Sequence, residues 1–108
     1  NFGSFFASLF APLLLLVLLL AALAACMIKG VERVAPMLNF QFTTVEVHLQ
    51  ADRQDSPPKL VAITYEIIVK TDERGPRLDL LHRNILKYGT ISNTLAGAVP
   101  LTGIIRRA

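Results

Sequence analysis

Cys26 is the one thiol in a chain of 108 residues, and it is the side chain best suited to covalent or redox chemistry. A cysteine attacks as its thiolate, which needs a nearby positive charge or hydrogen-bond donors. Lys29 and Arg33 stand three and seven positions further on, along one helical face, where their charge would favour that form. The helix dipole would not help, because Cys26 falls toward the C-terminal half of its helix. The plainer reading is a small apolar core residue, since free cysteine is often buried. His48 and His82 belong to different elements and have no second ligand at metal spacing, so they read as a strand-face and a helix-face histidine and no metal is expected. Ser92 has no base or acid near it in sequence, which leaves a hydrolase triad unsupported. Glu46 and Glu66 read as a cross-strand carboxylate pair, and Tyr65 and Tyr88 as core or interface residues.

The elements that must position these residues are readable from periodicity and punctuation. Leu9 to Ile28 is twenty residues without a charge, and Pro12 suits a helix's first turn while Pro36 should stop it. Phe40 to Gln50 alternates, with Phe42, Val45, Val47 and Leu49 interleaved with polar residues, as a half-buried strand does, although Thr43-Thr44 breaks the phase once. Asp52 to Pro58 is turn chemistry, and Lys59 to Thr71 reads as a second, more buried strand, so the two form an antiparallel hairpin. Asp72 to Pro76 feeds a helix over Arg77–Tyr88 with Leu78, Leu81, Ile85 and Tyr88 on one face, and Gly89 fits the position just past its end. Thr90 would cap a further short helix, and Val99–Arg106 reads as a last strand. The chain is a single domain over residues 1–108, of the α+β class.

Composition narrows the partners. Hydrophobic residues make up 53% and charged residues 18%, more apolar than an ordinary soluble domain, and every charge lies from Lys29 onward. A net charge of +3 in which only Arg106 and Arg107 are adjacent cations gives no basic patch for nucleic acid. A single cysteine excludes an internal disulfide and implies no oxidising compartment. The first residue is Asn1 rather than Met, as expected of a fragment or a processed product.

Three readings of the apolar stretch stay open on the residues alone. It is long enough to span a bilayer, with Lys29 and Arg33 marking a cytoplasmic end. Leu23-Ala24-Ala25-Cys26 looks like a lipoprotein cleavage box, but Asn1 to Phe6 lacks the basic residues of a signal's first segment. A helix apolar all round can also be buried by protein on every side, with a partner subunit completing the cover.

The run Leu18 to Cys26, the segment Asp55-Ser-Pro-Pro-Lys59 with its following strand, and Leu86-Lys-Tyr-Gly-Thr-Ile-Ser-Asn-Thr-Leu95 together resemble the OsmC/Ohr family of thiol-dependent peroxide-handling proteins. The resemblance covers about residues 12 to 106 and implies an OsmC-like fold, with a long buried central helix packed on antiparallel strands and an intertwined homodimer. It also implies a soluble cytoplasmic protein rather than a membrane-spanning one. On its terms Cys26 is the catalytic thiol, and Lys29, Arg33, Gly89 and Thr90 line the substrate pocket. Three departures stand out. The family's second cysteine would fall at about Gly89, its carboxylate at Leu16 or Val17, and its N-terminal strands, which supply an arginine, have no counterpart here. Thiol-dependent reduction of organic hydroperoxides would then need an external thiol and no other cofactor. The alternatives are a non-catalytic module of the same fold that binds a small apolar ligand, or a single-span membrane protein. A glycine at 89 is expected to leave space beside Cys26 for a substrate or an outside thiol.

Overall fold

The computed structural model describes residues 2–108, with side chains from residue 13 onward. The Leu/Phe-rich start, with Phe2, Phe5, Phe6 and Phe10, reads from sequence as either a partner-covered surface or a disordered segment, and its side chains fall outside that range. Six elements follow in order: α1 (Phe2–Met37), β1 (Thr44–Asp55), β2 (Pro58–Lys70), α2 (Gly75–Tyr88), α3 (Thr90–Ala96) and β3 (Leu101–Arg107).

Helix α1 starts at Phe2, so Pro12 lies within it and not in its first turn. One proline removes a single bond from a long ladder, and the helix continues through it to Met37. The far end is set by Asn39 more than by Pro36. Asn39 has φ 51°, the left-handed conformation that asparagine tolerates best after glycine. Its N–H donates to Pro36 O at 3.2 Å, while Phe40 N–H donates to Ala35 O at 2.8 Å. These two bonds make a Schellman closure, and Phe40 is buried as its apolar anchor. Phe40 is thereby withdrawn from the strand that alternation assigned to it, and β1 begins at Thr44, past the break in phase.

β1 and β2 pair antiparallel, as expected, with Val45, Val47 and Leu49 on the same half-buried side. The ladder runs further than the turn residues suggest, to Asp55 opposite Pro58, with a register shift between Asp52 and Arg53. An exposed ladder asks only for paired backbone, so the polar residues Asp52 to Asp55 extend the strand as readily as they would a loop. Their exposed Arg53–Asp55 ion pair, at 2.6 Å, lies within β1. Glu46 faces Ile68, not Glu66; Glu66 stands opposite His48 and accepts from Arg106 Nε at 3.1 Å.

β3 joins the other side of β2 in parallel, giving the order β1-β2-β3. Parallel neighbours need a crossover, which α2 and α3 supply. The sheet is therefore antiparallel-rich with one parallel pair. Its inner face is the β2 stripe Ile63, Tyr65, Ile67 and Val69. Against that stripe lie Leu23, Met27, Val31 and Val34 of α1 and Leu78, Leu81 and Ile85 of α2. Spacings of three and four residues place each helical set on one stripe. Tyr88, expected on the buried face of α2, is 44% exposed, because it is the last residue of the helix and borders the open cleft that Cys26 also lines. α2 also starts earlier than Arg77, taking Gly75 and Pro76 into its first turn, where the missing proline N–H costs nothing. Among the described side chains of α1, Leu13 is 62%, Leu15 70% and Leu18 57% exposed within this chain.

Helix α2 is tied to the sheet by a polar contact as well. Tyr65 hydroxyl and His82 Nε2 are 2.6 Å apart, with the rings edge to face. Gly103 of β3 sits opposite Tyr65, and a side chain there would strike the Tyr65 carbonyl and ring. Burial pushes the His82 imidazole below its ordinary pKa, partly opposed by Asp79, and burial pushes the Tyr65 phenol up. An imidazole held low in the folded state takes a proton more readily when unfolded. Its share of stability is therefore complete above about pH 6.5 and is lost as the pH falls through the lowered folded value. Urea midpoints between pH 8 and pH 5 should fall for the wild type and fall less steeply for His82→Gln; parallel curves would remove His82 as the source.

Candidate functional site

Helices α1 and α2 pack closely at Gly30. A Cβ built there would lie 3.0 Å from Ile85 Cγ2. One turn back along α1 is Cys26 and one turn forward along α2 is Gly89, and these meet as well: a Cβ at Gly89 would lie 3.3 Å from Cys26 Sγ. The helices thus pass in opposite directions, and the turn between α2 and α3 falls on the thiol.

Gly89 itself has φ −82° and ψ 112°, ordinary extended backbone open to any residue. It is the N-cap of α3 and makes no left-handed helix end, so its lack of a side chain serves space and not conformation. Thr90, expected to cap, is instead the first residue of α3, and its side chain makes no capping bond. The space at Gly89 is not empty. A Cβ there would collide with Ser92 Oγ, and it would lie 3.1 Å from Ile85 O. Ser92 is 2% exposed and donates to Gly89 O at 3.1 Å, closing the first turn of α3. The point where a side chain at 89 would begin is therefore taken by a hydroxyl, while Gly89 and Cys26 still share the wall of an open cleft. Sequence reasoning set Ser92 aside for want of a base; the three-residue spacing from Gly89 across a helix start was the signal that it folds back.

Cys26 is partly accessible and lines a cleft of about 690 Å³ between α1 and the α2–α3 turn. Lys29 and Arg33 line it from α1, and Gly89 and Thr90 from the other side, with Tyr88 and Ile91 beside them. Lys29 Nζ is 3.3 Å from the Glu32 carboxylate, an exposed pair on the outer wall that sequence reading did not anticipate. The cleft thus offers one thiol, the Tyr88 and Thr90 hydroxyls, two cations with one acid, and apolar walls from Ala22, Ala25 and Ile91. His48 and His82 lie elsewhere: His48 pairs with Glu46 at 2.9 Å on the exposed face of β1, and His82 bonds Tyr65. Among the described residues no group of three or more His, Cys, Asp or Glu is placed to hold a metal ion.

A family profile described as OsmC-like protein matches residues 16–103. No curated protein matches the chain. Among solved structures the fold is similar to an OsmC-like protein from Mycoplasma pneumoniae, with TM-score 0.81 and 18% identity over 86% of this chain and 70% of that one. It is similar as well to an organic hydroperoxide resistance protein OsmC from Legionella pneumophila, with TM-score 0.72 and 19% identity over 82% of this chain and 65% of that one. The organic hydroperoxide resistance protein OhrB of Bacillus subtilis matches at TM-score 0.62 and 20% identity, over 77% of this chain and 62% of that one. These identities carry the fold alone, and the chain spans between 62% and 70% of the length of those three proteins.

The crowding at Gly89 makes a prediction independent of any activity. Gly89→Ala should lower stability by about 1–3 kcal/mol, the usual cost of overpacking. Adding Ser92→Ala in the same chain should recover part of that loss, because the hydroxyl is the nearest obstacle. Urea unfolding of the two variants checks it, and a double variant no more stable than Gly89→Ala would place the obstacle elsewhere.

Proposed function

We propose a function from one premise: this chain belongs to the OsmC-like protein family. It serves in oxidative-stress defence by reducing organic hydroperoxides at Cys26, with an outside thiol as the reductant. The observation that carries this reading is the partly accessible Cys26 thiol on the wall of a cleft that also holds Lys29 and Arg33.

The Cys26 thiolate attacks the outer oxygen of the hydroperoxide and breaks the O–O bond. The alkoxide leaves and takes up a proton as the alcohol, and the sulfur keeps one oxygen as a sulfenic acid. Two electrons pass from sulfur to the peroxide. No second thiol exists in the sequence to condense with the sulfenic acid. An outside thiol does so, releasing water and leaving a mixed disulfide, and a second thiol frees Cys26 by exchange. Ala22, Ala25 and Ile91 favour a hydroperoxide with an apolar body, and Gly89 and Thr90 complete the pocket.

The protein is a soluble cytoplasmic homodimer. The uncovered leucines of α1, Leu13 to Leu15 and Leu18, form an apolar face that a second copy covers, and the cytoplasm supplies reduced thiols. A second reading is a non-catalytic module that binds a small apolar ligand. Leu16 and Val17, where the family resemblance expects a carboxylate, favour it, since an unaided thiol is weakly activated.

With cumene hydroperoxide and dithiothreitol, peroxide loss should be well above background for the wild type and at background for Cys26→Ser. Equal rates would end the enzyme reading and leave the binding module. Sedimentation in detergent-free buffer should give a dimer. Leu18→Glu places a charge on a position that one chain leaves exposed, so it should yield a folded monomer. A wild-type monomer, or material soluble only in detergent, would refute the dimer.

A further inference from the structure

Among the described residues Ser92 is, beside the Tyr65 phenol, the one buried side chain with a polar group, and the peroxide-reduction scheme above leaves it without a role. Its hydrogen is committed to Gly89 O at 3.1 Å. A hydroxyl has two acceptor sites besides its hydrogen, and among the described residues no group donates to this one. Ser92 Oγ and Cys26 Sγ flank the same point, the place where a side chain at Gly89 would begin. An oxygen added to Cys26 on that side points toward the Ser92 hydroxyl.

We infer that Ser92 is a positioning residue for the oxidised thiol, accepting a hydrogen bond from the sulfenic O–H of Cys26 and passing it on to Gly89 O. The inference rests on the reading of Cys26 as the thiol that peroxide oxidises. The consequence is chemical. With its hydrogen held on Gly89 O, the Ser92 oxygen can only accept, so it bonds the neutral sulfenic acid and not its anion and holds the acid in its un-ionised form. The neutral acid is the electrophile that an outside thiol attacks with loss of water. The anion is the nucleophile that takes a second oxygen from another peroxide to give the sulfinic acid, which such thiols do not reverse. Ser92 therefore keeps a one-cysteine site recoverable. Because Ser92 occupies the room beside Gly89, the chain cannot hold this hydroxyl and a side chain at 89 together in their present places.

Ser92→Ala is suited to the test, because Gly89 O keeps a second donor, Asn93 N–H at 2.9 Å. Wild type and variant are treated with excess hydrogen peroxide, which oxidises an accessible thiolate whether or not the protein turns over organic hydroperoxides. Intact mass then follows the dimedone-trapped sulfenic acid and the sulfinic acid. One net hydrogen bond lost predicts sulfinic acid forming roughly two- to tenfold faster in Ser92→Ala; equal rates overturn the inference. Ser92→Cys gives a second measure. Diamide should close an internal disulfide with Cys26, read as the loss of two hydrogens and of both titratable thiols, and two thiols surviving diamide would show that the side chain at 92 does not face Cys26. Turnover of cumene hydroperoxide by the wild type is scored separately. Its absence together with faster overoxidation of Ser92→Ala would sink the peroxidase reading and leave the role of Ser92 standing.

Discussion

The close passage of α1 and α2 at Gly30 is the contact on which the site depends. Ile85 lies against the bare backbone of Gly30, where a methyl group would already be 3.0 Å from Ile85 Cγ2. Helices pack at distances set by the side chains between them, and a glycine at the crossing lets them approach closely. From that crossing the geometry propagates by one turn each way. One turn back from Gly30 stands Cys26 and one turn on from Ile85 stands Gly89, so that the thiol meets the α2–α3 turn. A larger residue at 30 would move α2 outward and open the contact a turn away as well.

The sheet gives this helix pair its footing. Ile63, Tyr65, Ile67 and Val69 on β2 present one continuous stripe, and the buried residues of both helices rest on it. Full burial of such side chains is worth about 1.5–3 kcal/mol each, so the helices are held by many contacts. The Tyr65–His82 bond adds direction to this adhesion, because a hydrogen bond at 2.6 Å fixes rotation as well as distance. Gly103 lets β3 pass close to the Tyr65 ring, so the strand that follows the site closes the layer beneath it. The thiol thus stands on a rigid helix, facing a turn that two further helices brace.

Much of this was legible in the chain. Alternation of Val45, Val47 and Leu49 placed β1, and β-branched density placed β2, because a period of two is a property of local backbone geometry. The apolar stretch, the helix over Arg77 to Tyr88 and the residues around Cys26 and Gly89 that suggested the family were equally local signals. Strand and helix ends were less so. Asn39 with Phe40 closes α1 through bonds whose acceptors lie three and five residues back, while composition pointed to Pro36. Asp52 to Asp55 has the composition of a turn and the backbone of a strand, because exposed ladder positions accept polar residues.

What the sequence determined by itself is the set of elements, their order and the one residue able to do thiol chemistry, all of which follow from patterns a few residues long. Only the tertiary structure decided that β3 runs parallel to β2, that Glu66 serves Arg106 and not Glu46, and that the space at Gly89 belongs to Ser92. Each of these is a contact between segments whose spacing along the chain is unrelated to their spacing in the fold. Glycine illustrates the difference most directly. From sequence its value seemed to lie in backbone freedom past a helix end, but its dihedrals at 89 are ordinary, and its role comes from neighbours that pack where a side chain would otherwise stand.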